Sequence, residues 1–205
     1  MVITFYGEAY TKIQQGDQVV AFNPISKDYD PKAPKFGSDV ALISCNLPAY
    51  NGKENVTFGS KEPFTVDGPG EYEIGGMFVR GFATPGPAGK TNTIFTVLLD
   101  GVRICHLGAL SVPEITPEVI EEIGVVDVLF VPVGGDPVLD AKGASKVSSL
   151  LEPKIIIPVG YDDKASLSKY LKEEGIEKEN ATDKLTIKKK DLEGKEAEVV
   201  IIKST

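Results

Sequence analysis

The chain has 205 residues, 41% hydrophobic and 25% charged, which is the composition of an ordinary globular protein long enough to bury a core without disulfide staples. Its 22 Lys and Arg against 30 Asp and Glu leave a net charge of −8, which argues against broad contact with nucleic-acid phosphates or an anionic membrane surface. One histidine and two cysteines, with no C-x-x-C spacing, exclude a histidine-rich dinuclear metal centre.

Residues 2–5, 10–13 and 18–22 are short β-rich runs, split by Gly7 and by Gln15-Gly16-Asp17. A polar loop carrying Pro24, Pro31 and Pro34 follows over 23–38. The run DVALIS at 39–44 is continuously apolar, as in a strand buried on both faces. Residues 45–52 are a turn region with Pro48, and 56–58 and 64–66 are further short strands. After the Gly68-Pro69-Gly70 break, 71–74 and 77–82 flank Gly75-Gly76 as a hairpin. Residues 83–91 (ATPGPAGKT) are a loop by composition. Strands at 93–99 and 102–106 are joined by Asp100-Gly101, a tight hairpin signal.

The second half alternates. Thr116 caps a helix with Pro117 in its first position, and Gly124 ends it. Residues 127–131 are a buried strand. Asp140 caps a helix with an apolar face of Ala141, Ala144, Val147, Leu150 and Leu151. KIIIP at 154–158 is another buried strand. Asp163 caps a helix bearing Leu167, Tyr170 and Leu171, stopped by Gly175. Residues 185–188 and 198–202 close the chain as a hairpin, with Lys188-Lys189-Lys190 protecting an edge strand. Strands first, then alternating strand and helix, predict packed sheets with helices outside. We expect one domain with pseudo-symmetric halves, roughly residues 1–100 and 101–205.

No stretch is long and apolar enough to span a membrane, and MVITFYGEAYTKI lacks the regions of a secretory signal, so the expected compartment is the cytoplasm. Cys45 and Cys105 are then expected to be free thiols. The sequons at Asn55 and Asn180 carry no meaning there.

Several segments, in order, resemble the metallo-β-lactamase fold family. They are Ile3-Thr4-Phe5-Tyr6-Gly7, Phe22-Asn23-Pro24, DGPGEYEIGG at 67–76, TNTI at 91–94, RICHLG at 103–108, VDVLFVPVGG at 126–135, Asp140-Ala141-Lys142 and PKIIIP at 153–158. The resemblance implies an α/β (α+β) fold: an αβ/βα four-layer sandwich of two mixed β-sheets with outer helices. It also implies the family's chemistry, in which zinc held by His and Asp lowers the pKa of a bound water that attacks an ester, amide or phosphodiester.

The family's main ligand motif, H-x-H-x-D-H, falls on Cys45-Asn46-Leu47-Pro48-Ala49-Tyr50. Its ligand positions hold Cys45, Leu47, Ala49 and Tyr50. The loop at 84–87, where the next His falls, contains none; Ala109 stands for the bridging Asp and Gly160 for the final His. One thiolate cannot hold zinc. The reading is therefore a degenerate member, metal-free and catalytically inactive, without a cofactor and kept for binding or assembly. Its expected partner is a protein or a second copy of itself, with no nucleic acid and no membrane. The alternatives are a hydrolase with a remodelled site using Cys45 or Tyr50 with His106 (or an unrecognised metal site), and a small-molecule sensor in the vacated cleft. Candidate residues around that cleft are Glu8, Asn23, Cys45, Asn46, Tyr50, His106 and Tyr161. His106 precedes the bridging-ligand position, and its plainer role is a strand-end histidine bonded to nearby backbone. The stretch 86–91 lacks the first glycine of a phosphate loop, and no helix is predicted after it.

Overall fold

The computed structural model describes residues 1–161, 164–177 and 181–205. The first sheet holds β1 (Val2–Phe5), β2 (Thr11–Gln15), β3 (Gln18–Phe22), β4 (Val40–Leu42) and β5 (Phe64–Val66). The second takes β6 (Gly70–Ile74), β7 (Met77–Pro85), β8 (Thr91–Leu99), β9 (Val102–His106), β10 (Val128–Pro132) and β11 (Ile155–Val159). Four two-residue strands follow: β12 (Ala181–Thr182), β13 (Leu185–Thr186), β14 (Glu198–Val199) and β15 (Ile201–Ile202).

Strand order is β13-β1-β2-β3-β4-β5 in the first sheet and β14-β11-β10-β9-β8-β7-β6 in the second, with β12 and β15 paired apart. Both sheets are mixed. The hairpin-linked strands are antiparallel, and β3–β4–β5 and β9–β10–β11–β14 are parallel. The expected hairpin turns form where glycine meets the demand for left-handed backbone: φ is 57° and 81° at Gly75-Gly76, and 51° and 71° at Asp100-Gly101.

Period-two alternation decides which core each side chain enters. Val40 and Leu42 face the space between the sheets, whereas Ala41 faces outward under the 23–56 segment. Val128 and Phe130 likewise join the inter-sheet core, while Leu129 and Val131 pack against the helices. Those helices are α1 (Pro117–Ile123), α2 (Ala141–Leu151) and α3 (Lys164–Glu173). Thr116 and Asp140 cap α1 and α2 through the Val119 and Gly143 N–H groups. Among the described residues, no helix is long and apolar enough to cross a membrane.

Several local expectations are corrected. Residues 56–58 form no strand; Phe58 makes only an isolated bridge to Lys61. Residues 83–85 extend β7 instead of looping, because β8 offers them partners through Pro85 and Thr91. The C-terminal runs do not pair with each other: β13 adds to β1, β14 to β11 and β15 to β12. Open edges of the two larger sheets take β13 and β14, and β15 pairs with β12 apart from both, which no local pattern reveals. Lys189–Leu192 is a 3-10 turn, so the lysine run is not on an edge strand. Leu150 stays exposed, and Gly143 and Ser148 take the buried face of α2 instead. The cap expected at Asp163 and the sequon at Asn180 lie outside the described residues.

Candidate active site

The C-terminal ends of β3, β4, β9 and β11 deliver Asn23, Cys45, Ala109 and Gly160 to one end of the sandwich. There Ala9, Cys45, Tyr50, Ala109 and Val138 bury one another, with Leu47 and Ala49 packed against them. Residues far apart in sequence that match the resemblance's ligand positions thus share one cluster. A cleft of about 370 Å³ opens on it, lined by Leu47, Ala49, Tyr50 and Gly160 together with Glu8, Tyr29, Asp136 and Ser166.

Glu8 is held there against its backbone preference. It sits at φ 48° in the turn between β1 and β2, in the left-handed region that disfavours a side chain with a Cβ. The Gly160 N–H donates to the Glu8 carbonyl, and the Tyr29 hydroxyl donates to Glu8 Oε1 at 2.6 Å. Gly134 allows the close approach behind this arrangement, since a Cβ on it would lie 2.1 Å from the Gly160 carbonyl oxygen.

His106 is not in the cleft. Alternation along β9 turns it into the inter-sheet core, stacked on Phe22 and Phe130 at centroid distances of 5.0 and 5.1 Å. Its Nδ1 accepts the Gly108 N–H, which leaves the proton on Nε2. Nε2 is buried without a hydrogen-bond partner among the described residues. Burial pushes the imidazole pKa down to about 3, against a smaller opposing effect of Ala9.

Cys45 is buried, and burial raises its thiol pKa, partly offset by Lys90. Cys105 is buried on the helix side of β9, its thiol pushed up to about 12. Such thiols are poor nucleophiles. With His106 turned away and neutral, no Cys45–His106 nucleophile–base pair forms.

Of the remaining candidates, Glu8 and Tyr50 line the cleft. Tyr161 lies beside it, its ring 6.0 Å from that of Phe5. Asn23 is buried beneath, accepting the Ser44 N–H, and Asn46 is exposed with Asn51 as its partner. Sequence reasoning missed Tyr29, Asp136 and Ser166. Tyr29 is one of two aromatic residues in a largely polar, proline-rich loop, with Phe36, and that was the available signal for it. Nothing local marked the other two.

Two mixed sheets with helices outside, and a cleft at the strand ends, define a metallo-β-lactamase-type sandwich. The chain belongs to the beta-lactamase superfamily, whose domain model matches residues 2–160. A Thermotoga maritima structure, described as a candidate zn-dependent hydrolase of the metallo-beta-lactamase superfamily, is 30% identical with a TM-score of 0.80, covering 98% of this chain and 97% of that one. A UPF0173 metal-dependent hydrolase of Natranaerobius thermophilus is 24% identical over 79% of this chain and 84% of its own length. A UPF0173 protein of Pyrococcus furiosus is 33% identical, but the match spans only 41% of its length.

These relatives correct the expectation of an inactive scaffold kept for binding or assembly: two of the three are described as hydrolases, and they point to hydrolysis. The residues of the cleft do not match the zinc that such descriptions imply. Among the described residues, no group of three or more His, Cys, Asp or Glu lies together to hold a metal ion. Leu47, Ala49, Ala109 and Gly160 bring no side-chain donor to the cluster, so this donor set does not fit zinc.

Proposed function

We propose that this protein is a hydrolase whose reacting groups meet in the cleft at Glu8. The observation that carries the reading is the Glu8 carboxylate, kept in the cleft by a disfavoured backbone conformation and oriented by the Tyr29 hydroxyl. A carboxylate so placed serves as a general base. It takes a proton from water as the water oxygen attacks a substrate carbonyl carbon. The proton then passes to the departing alkoxide or amine as the carbon–heteroatom bond breaks. Tyr29 orients the carboxylate, and the apolar walls at Leu47, Ala49 and Val138 limit competing water. Beta-lactamase superfamily membership supports the reaction class. The cytoplasm remains our proposed compartment, supported by the free Cys45 and Cys105 thiols.

The test is turnover of 4-nitrophenyl esters, 4-nitroanilides and bis(4-nitrophenyl) phosphate, each assayed after chelation and with added zinc. We expect an ester or amide to be cleaved, and Glu8→Gln to lower kcat by about 100-fold or more while the fold is kept. No turnover above buffer under either condition overturns the reading, as does turnover indifferent to Glu8→Gln.

A further inference from the structure

Glu8 and Tyr29 line two clefts, not one. Behind them opens a second cavity of about 450 Å³. Its walls include the buried Phe5, Ile25 and Leu167, and Tyr161 stands beside Phe5. Its rim differs in chemistry, carrying Lys164 from the start of α3 and Lys203 from the C-terminal segment. Both lysines are exposed. Lys203 meets Asp183 at 3.0 Å in a well-solvated pair, and Lys164 makes no ion pair among the described residues. Asp30, also on the wall, already accepts the Lys32 N–H.

Resting on the hydrolase reading above, we propose that this second cavity binds the non-reacting half of the substrate, an aromatic or acyl group that ends in a carboxylate. The aromatic and aliphatic walls take the apolar body, and Lys164 and Lys203 take the acid at the rim. The Glu8–Tyr29 pair then stands at the boundary, where the scissile carbonyl crosses from one cleft into the other. The lining sets these two lysines against the carboxyl groups of Glu8 and Asp30, so selection of an anionic group rests on direct contact with the ammonium groups at the rim and not on a net positive field.

The test compares 4-phenylbutyrate with neutral 4-phenylbutanamide by calorimetric titration of the full chain. The wild type is set beside Lys164→Glu/Lys203→Glu, with Lys146→Glu as a distant surface control. We expect the carboxylate to bind about fivefold tighter than the amide or better. The double reversal should abolish that preference and leave amide binding, and Lys146→Glu should change nothing. Equal binding of the two compounds, no binding of either, or a preference that survives the double reversal overturns the proposal. Glu8→Gln separates the two readings: it should retain the carboxylate preference while losing turnover. Turnover without the preference sinks only this inference, and the preference without turnover sinks only the hydrolase reading.

Discussion

The imidazole of His106 lies nearly parallel to the Phe22 ring, 5.0 Å away with an interplanar angle of 17°. That contact makes the only histidine of the chain a core residue. A buried neutral histidine has an acid-side consequence. Its folded pKa of about 3 lies below its unfolded value of about 6.5, so the unfolded chain binds the extra proton between them. Stability is therefore complete above pH 6.5 and falls with pH below it, by up to about 1.4 kcal/mol per unit from this group. Urea unfolding of wild type and His106→Phe at pH 5, 6, 7 and 8 should show this slope only in the wild type.

Asp127 is the acidic counterpart on the opposite flank of β9 and β10. It accepts the Arg103 N–H at 2.8 Å and the Lys154 ammonium at 2.6 Å. Burial works to raise its carboxyl, but the Arg103 N–H, Lys154 and Lys189 outweigh burial and hold the pKa below the usual range. Its stabilisation is present above the unfolded carboxylate value and is lost as pH falls through the lower folded value. Asp127→Asn should cost about 1.5–3 kcal/mol at pH 7. Denaturant melts at pH 7 and pH 3 should show a smaller penalty at the lower pH.

Both thiols should resist labelling in the native protein. Cys45 and Cys105 are buried, and burial raises both pKa values. Iodoacetamide at pH 7.5 should modify neither over a period that modifies both in denaturant. Rapid native labelling at Cys45, read by peptide mass, would return the thiol to the list of working nucleophiles.

Glu8→Gly should divide stability from activity. Glycine adopts φ 48° without the Cβ penalty, so the fold should be as stable as wild type or gain about 0.5–1 kcal/mol. Turnover of the ester identified for the wild type should fall as far as in Glu8→Gln. A variant that loses stability and activity together would mean that Glu8 holds the turn through its side chain and does no chemistry.

Strand identities, two helix caps and the main hairpins follow from local patterns, because turn chemistry and side-chain alternation act over a few residues. DVALIS had to be a buried strand, and Asp100-Gly101 had to be a tight turn. The chemistry of single residues was also readable one by one: Leu47, Ala49, Ala109 and Gly160 have no side-chain donor to give, wherever the chain puts them.

What the sequence left open was direction and company. Whether His106 faced the cleft or the core depended on which way β9 presented it, and pairing with β8 and β10 settled that. Tyr29 reached Glu8 only because the long loop crosses the outer face of the first sheet. Leu185 and Glu198 read as hairpin partners until the edges at β1 and β11 claimed them. Gly108 shows the same dependence at atomic scale: a Cβ there would lie 2.3 Å from Ser44 Cβ, a neighbour supplied by the segment that follows β4. Local propensity acts along the chain, whereas site geometry is set by which distant segments share a sheet and a core.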